Sequence, residues 1–152
     1  MAQNVGKVFE KDLSSSCPDD MFIYRVPDIK YGVKSICDFL LYSYPRLFLL
    51  ELKSTQEKTF PLRNIAPHQL ENMCKYNKSN MVAGFIINFR QHDMTYFIKG
   101  DVLQLLMSQE NITRLSTEML EEHGVLIPQQ KKRTRFRYDL SYFRGWDWWN
   151  SC

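Results

Sequence analysis

Asp38, Glu51 and Lys53 are the residues of this sequence whose types and spacing most readily do chemistry. Residues 37–42 (Cys-Asp-Phe-Leu-Leu-Tyr) and 47–53 (Leu-Phe-Leu-Leu-Glu-Leu-Lys) flank a short polar stretch, Ser43-Tyr44-Pro45-Arg46, in the pattern of an antiparallel hairpin buried on both faces. A turn centred between Tyr44 and Pro45 sets Asp38 directly opposite Glu51, with Cβ atoms about 4.5–5.5 Å apart. Lys53, two residues beyond Glu51, shares its face. Two opposed carboxylates repel when both are ionised, and burial makes this worse. A divalent cation resolves the conflict, and Mg²⁺, which takes one or two carboxylates plus waters and phosphate oxygens, suits the pair best. Lys53 could then orient or help deprotonate an attacking water, or offset charge on a phosphoryl oxygen. An ordinary salt bridge of Lys53 with the two acids is the other reading of the same spacing.

The elements that must position these residues are visible in the periodicity. Val5, Phe9 and Leu13 repeat at i, i+4, i+8 behind Asn4, predicting a helix over 4–14 with Glu10 beside its apolar stripe. Residues 22–26 read as a strand ended by Pro27, and 28–34 as loop. A helix opening at Asn64, with Pro67 in its first turn, runs to about Asn77 and carries Leu70, Met73 and Cys74. Strands follow over 81–89 and 95–99, then a helix capped by Asp101, another over 118–123 ending at Gly124, and a short strand over 125–127. That order fits a mixed α/β sheet with helices packed on it.

Composition sets the outer limits. A chain of 152 residues and 18.1 kDa holds one core of ordinary size, and 44% hydrophobic with 24% charged residues excludes disorder and fibrous repeats. The net charge of +3 is unevenly placed. Over 101–124, Asp101, Glu110, Glu118, Glu121 and Glu122 outweigh Arg114, whereas from 125 onward Lys131, Lys132, Arg133, Arg135, Arg137 and Arg144 outweigh Asp139 and Asp147. This C-terminal segment, with Phe136, Tyr138, Tyr142 and Phe143 interleaved, suits a surface that meets phosphates; a solvated charged strand has the same composition. Four dispersed cysteines without CxxC or zinc spacing point to a reducing cytosol. No apolar run suits a signal peptide or a membrane span.

Asp38 followed by Glu51-Leu52-Lys53 resembles the Asp…(Asp/Glu)-x-Lys signature of the PD-(D/E)xK nuclease superfamily. The following stretch, Thr59-Phe60-Pro61-Leu62-Arg63-Asn64-Ile65-Ala66-Pro67-His68-Gln69-Leu70-Glu71-Asn72-Met73, is similar to the Phe-Pro-Leu…Asn…His-Gln…Met run of RecU-type Holliday junction resolvases. Gly6-Lys7-Val8-Phe9-Glu10 resembles that family's first helix, and Arg137-Tyr138-Asp139-Leu140 its C-terminal segment. With 27 residues between Glu10 and Asp38, there is no room for the long stalk of bacterial RecU, and the short form looks more like phage-encoded or archaeal-type resolvases.

The resemblance implies a restriction-endonuclease-like fold, one nuclease domain over 1–152, and a Mg²⁺- or Mn²⁺-dependent DNA endonuclease acting as a homodimer on branched DNA in the cytoplasm of a bacterial cell or phage-infected host. Asp38, Glu51 and the Leu52 carbonyl would ligate metal and Lys53 would be the catalytic lysine, with Glu10 and Gln69 approaching the site. His68, Arg25 and Lys58, and the basic run Lys131, Lys132, Arg133, Arg135 and Arg137, are the candidate DNA contacts. A nuclease acting on flaps, nicks or duplex without junction preference, and a non-catalytic DNA-binding regulator of recombination, are the alternatives. Trp146-Asp147-Trp148-Trp149 reads as a C-terminal anchor.

Overall fold

The computed structural model describes residues 4–29, 31–32 and 34–145. The Trp-rich C-terminal stretch lies outside them.

Helix α1 (Val5–Ser15) buries Phe9 and Leu13, and ends where Ser16 caps it, two residues before Pro18. Strand β1 (Phe22–Arg25) pairs antiparallel with β2 (Phe39–Ser43), and β2 with β3 (Arg46–Thr55). The second pairing runs from Phe39↔Leu50 to Ser43↔Arg46, the register expected for a turn at Tyr44 and Pro45. From β3 the chain crosses over through β4 (Phe60–Pro61), a 3₁₀ turn at Leu62–Asn64 and helix α2 (Pro67–Lys75). It returns as β5 (Met81–Phe89), parallel to β3 from Leu47↔Met81 to Thr55↔Phe89. This parallel pair is the middle of the sheet, and β5 is buried from Val82 to Phe89, so it shows no alternation of apolar and polar residues.

Strand β6 (Met94–Lys99), helix α3 (Gly100–Gln109), β7 (Arg114–Leu115), helix α4 (Thr117–His123) and β8 (Val125–Ile127) follow. The six-stranded sheet has the order β1-β2-β3-β5-β6-β8. Strand β7 pairs with β4 outside it, where the Arg114 guanidinium donates to Thr59 Oγ1 and to the Thr59 carbonyl and pairs with Glu57.

Two cores sandwich the sheet. One joins Phe9 and Leu13 of α1 to Leu41, Phe48, Leu50 and Leu52; the other joins Met73 of α2, Leu103 and Leu106 of α3 and Leu120 of α4 to Leu49, Phe85 and Ile87. Period two on β3 therefore sends Leu50 and Leu52 toward α1, and Glu51 and Lys53 with Leu49 toward α2.

Several boundaries differ from the sequence expectation. Helix α2 starts at Pro67 rather than Asn64, because a residue preceding proline is pushed out of the helical region and Ala66 is extended at φ −69°, ψ 145°. Lys99, not Asp101, occupies the cap position of α3; Asp101 lies in the first turn and accepts from Val102 N at 2.8 Å. Ser116 caps α4, accepting from Met119 N at 3.2 Å. The basic segment is a second hairpin, β9 (Gln129–Lys132) with β10 (Arg135–Tyr138), which turns at Arg133 with φ +57°.

This hairpin is fastened to α1. Buried Asp12 accepts from Arg135 Nε at 2.6 Å and Phe136 N at 3.1 Å, and Ser16 Oγ accepts from Tyr138 N at 2.9 Å. The Tyr138 ring meets Phe9 edge-on at 5.5 Å. Asp12→Ala should cost about 2–3 kcal/mol, the range for lost hydrogen bonds to a charged group with a backbone N–H left unsatisfied. Urea unfolding should show the lowered midpoint, whereas Lys11→Ala on the exposed face of the same helix should leave it nearly unchanged.

Candidate active site

The β2–β3 pairing ends at Phe39↔Leu50, and Asp38 stands just beyond it. Its backbone still ties the strands together: Asp38 N donates to the Leu50 carbonyl at 3.0 Å, and its carbonyl accepts from Val26 N at 2.8 Å. The side chain takes over the next step, with Oδ2 accepting from Leu52 N at 2.8 Å. Leaving the ladder thus turns the Asp38 carboxylate onto the strand that carries Glu51.

Glu51 is 6% exposed, on the α2 side of β3. Gln69, in the first turn of α2, ties it to Lys53. Gln69 Nε2 donates to Glu51 Oε1 at 2.5 Å, and Gln69 Oε1 accepts from Lys53 Nζ at 2.9 Å and from Ala66 N at 3.0 Å. Lys53 Nζ is also 3.6 Å from Glu51 Oε1. A carboxylate would bond the lysine but repel Glu51; the amide supplies one donor and one acceptor, satisfying both neighbours and the helix start.

Burial pushes the Glu51 carboxyl up to about 7, the Asp38 charge adds to this, and Lys53 offsets part of it. Asp38 is also raised, first by burial, with the Leu52 N–H pulling it back and Glu10 pushing further. Two adjoining acids whose negative charge is undercompensated are residues that could hold a cation. No cluster of three or more His, Cys, Asp or Glu side chains able to hold a metal occurs among the described residues. A pair of carboxylates nonetheless fits Mg²⁺, which keeps most of its shell as water and substrate oxygens.

The acids open into a cleft of about 260 Å³, lined by Asp38, Glu51 and Gln69 together with Asp28, Lys34, Ser35 and His68. Lys34 Nζ lies 3.5 Å from His68 Nδ1. Sequence reasoning missed Lys34 because it sits in the irregular stretch before β2, where no periodicity reports direction; the only signal was a lysine four residues before the first acid.

The remaining candidates divide. His68 and Gln69 join the cleft. Glu10 is near enough to raise both acids, yet lines an adjoining cleft, where it accepts from Arg25 Nε at 3.2 Å; Arg25 also lies 3.6 Å from Asp28. Arg25 is therefore already engaged by carboxylates. The Leu52 side chain is buried toward α1, and its backbone N–H holds Asp38. Lys58 is exposed in the loop between β3 and β4, away from the cleft lining. Lys131 and Lys132 lie on β9, Arg133 at its turn, and Arg135 and Arg137 on β10.

Similarities to known proteins point the same way. The family described as Recombination protein U matches residues 26–140. An uncharacterized SPbeta prophage-derived protein, YotM, of Bacillus subtilis strain 168 is 27% identical, over 95% of this chain and 87% of its own length. The Holliday junction resolvase RecU of Bacillus cereus strain B4264 is 33% identical over 81 residues, 51% of this chain; the match spans only 40% of that protein's length. Among solved structures, Hjc of Archaeoglobus fulgidus, a Holliday junction resolvase, superposes with a TM-score of 0.53 at 12% identity, covering 70% of this chain and 83% of its own. The likeness to Hjc is one of fold, a mixed sheet flanked by helices of the restriction-endonuclease-like kind.

A carboxyl raised from 4.5 to about 7 on folding stabilises the protein while protonated; this advantage is complete below about 4.5 and is lost as pH rises through 7. In EDTA, stability should fall over that window by on the order of 3 kcal/mol, since each tenfold change in proton affinity is worth about 1.4 kcal/mol. Glu51→Gln should flatten the fall, and urea midpoints at pH 5 and pH 8 for both proteins would measure it.

Proposed function

We propose that this chain, which belongs to the recombination protein U family, is a metal-dependent endonuclease that cuts branched DNA. The observation carrying the reading is that Asp38, Glu51 and Gln69 line one polar cleft, with Lys53 tied to Glu51 through the Gln69 amide. An ordinary salt bridge would not need the Gln69 amide to hold Lys53 and Glu51 in a fixed relation while Asp38 faces the same space.

In this reading Asp38 and Glu51 hold Mg²⁺ or Mn²⁺, with the Leu52 carbonyl as a third protein oxygen. The cation, when bound, would supply charge neutralisation at the phosphoryl group and a more acidic water. Lys53 directs its ammonium toward the phosphoryl oxygen on which charge develops, and Gln69 fixes the orientation of that ammonium. Lys34 and His68, which line the same cleft, meet the flanking phosphate oxygens. The products are a 5′-phosphate and a 3′-hydroxyl. Two copies related by a two-fold axis would present two such clefts to the two equivalent strands of a four-way junction and cut them as a pair.

Cleavage of a labelled four-way junction, a flap and linear duplex, in Mg²⁺ and in EDTA, tests the reading. Symmetric nicks confined to the junction and requiring Mg²⁺ are expected. Cutting of all three substrates would make the protein a nuclease without junction preference, and binding with no cutting a recombination regulator. Glu51→Gln should lower cutting by about 10²–10³-fold or more, the scale for losing one electrostatic contribution to a transition state, with junction binding retained. Undiminished cutting by that variant would overturn the site assignment. Lys34→Ala should slow cutting by roughly 10-fold, about the 1–1.5 kcal/mol of one hydrogen bond.

A further inference from the structure

The basic residues that the active cleft does not use are not scattered. Three shallow depressions, of about 550, 630 and 480 Å³, adjoin one another along the exposed side of α1, and Lys11 lines all three. The first lies between α1 and β10 and is walled by Lys132, Arg135 and Arg137. The second adds Lys7. The third runs from Lys7 past Glu10 to Arg25 and Asp28, and Asp28 is also part of the active-cleft wall. A continuous path therefore leads from the C-terminal hairpin along α1 to the catalytic carboxylates.

The charges on this path are unequal, and most of its cations have no ion-pair partner among the described residues. Its cations are Lys7, Lys11, Arg25, Lys132, Arg135 and Arg137, against the carboxylates Glu10, Asp12 and Asp28. Asp12 is consumed by Arg135 and Phe136 N, and Glu10 and Asp28 by Arg25. Lys7, Lys11, Lys132 and Arg137 have no ion-pair partner among the described residues, and all four are exposed. Lys7 and Lys11 are one helical turn apart, about 6 Å along the axis, on one face. Because Asp12 and Ser16 clamp the hairpin to the helix, the two sets of cations keep a fixed spacing.

We propose that this path is a binding track for the sugar-phosphate backbone of one DNA arm, with Lys7 and Lys11 of α1 as its central contacts between the hairpin and the active cleft. The proposal rests on the nuclease reading, which makes the cleft at the end of the track a phosphodiester site. A row of exposed ammonium and guanidinium groups recognises phosphate spacing and not base identity. The track would thus hold the arm and set the strand's direction into the cleft, leaving sequence unread.

The test measures binding of a fluorescent four-way junction in EDTA, across a range of salt, for the wild type, Lys7→Gln/Lys11→Gln and the control Lys75→Gln/Lys78→Gln at the end of α2. Losing two phosphate contacts should reduce the slope of log affinity against log salt by about 2 and weaken binding roughly 10-fold or more at moderate salt. The control should follow the wild type. In Mg²⁺ the loss should fall on the half-saturating protein concentration of single-turnover cleavage. A Lys7/Lys11 variant indistinguishable from the control, in a protein that still cuts junctions, overturns the track alone. A wild type that neither binds nor cuts overturns the nuclease reading and the track with it. Weaker binding of an oligoglutamate peptide with junction binding untouched would assign the path to an acidic protein and also overturn the proposal.

Discussion

The structure turns on the burial of Glu51 beside Asp38. Burial disfavours the charge of both acids, Asp38 raises Glu51 further, and Glu10 raises Asp38 further. A core free to relax would expel such a pair or neutralise it in full. Here the opposing terms come from fixed partners: a backbone N–H on Asp38, a side-chain amide on Glu51, and a lysine held by that amide. Each partner belongs to an element that cannot move without disturbing the central sheet. The repulsion therefore persists in the fold rather than being relieved by rearrangement.

The parallel pairing of β3 with β5 makes this possible. A parallel neighbour requires a crossover, and the crossover helix must cover the sheet face onto which Glu51 and Lys53 project. Helix α2 enters that position with its first turn over the acids, since Pro67 ends the extended approach at Ala66 and starts the helix there. Gln69 is thus delivered to Glu51 by topology. The close contact of α2 with α3 secures its other end: a Cβ at Gly100 would stand 2.4 Å from Met73 Cβ, so glycine permits the approach that seats α2.

Much of this was legible in the sequence, and the boundary is physical. The hairpin register was readable because Pro45 marks the turn and two apolar runs leave one alignment. The register that would set Asp38 opposite Glu51 followed once the turn was placed, although the ladder ends one step short of them, at Phe39↔Leu50. Helix α1 and strands β5 and β8 followed from apolar pattern alone. The Gln69 bridge and Arg25's engagement with Glu10 were not readable at contact level, since they join residues 15 or more apart through side-chain reach. The β9–β10 hairpin was missed for a different reason: its strands carry Gln, Lys and Arg on exposed faces, so charge hid the alternation, and Arg133 rather than glycine takes the left-handed turn position.

That missed hairpin alters the meaning of the charge pattern. Read linearly, the basic C-terminal segment follows an acidic helical one, as though the chain simply alternated in sign. In three dimensions the two segments fall on opposite layers of the sheet. Glu121 of α4 accepts from the Tyr96 hydroxyl at 3.0 Å on the α2 side, while β10 lies along α1 on the other. The strand ends separate the layers, and Asp38, just past the end of the β2–β3 pairing, stands at the margin where both can reach it: Leu52 N from the neighbouring strand, Gln69's partner Glu51 from the α2 side, and the field of Glu10 from α1. An acid inside the ladder would face one layer only. Its place at the margin instead exposes Asp38 to both layers, to Glu51 and its Gln69 partner from the α2 side and to Glu10 from α1.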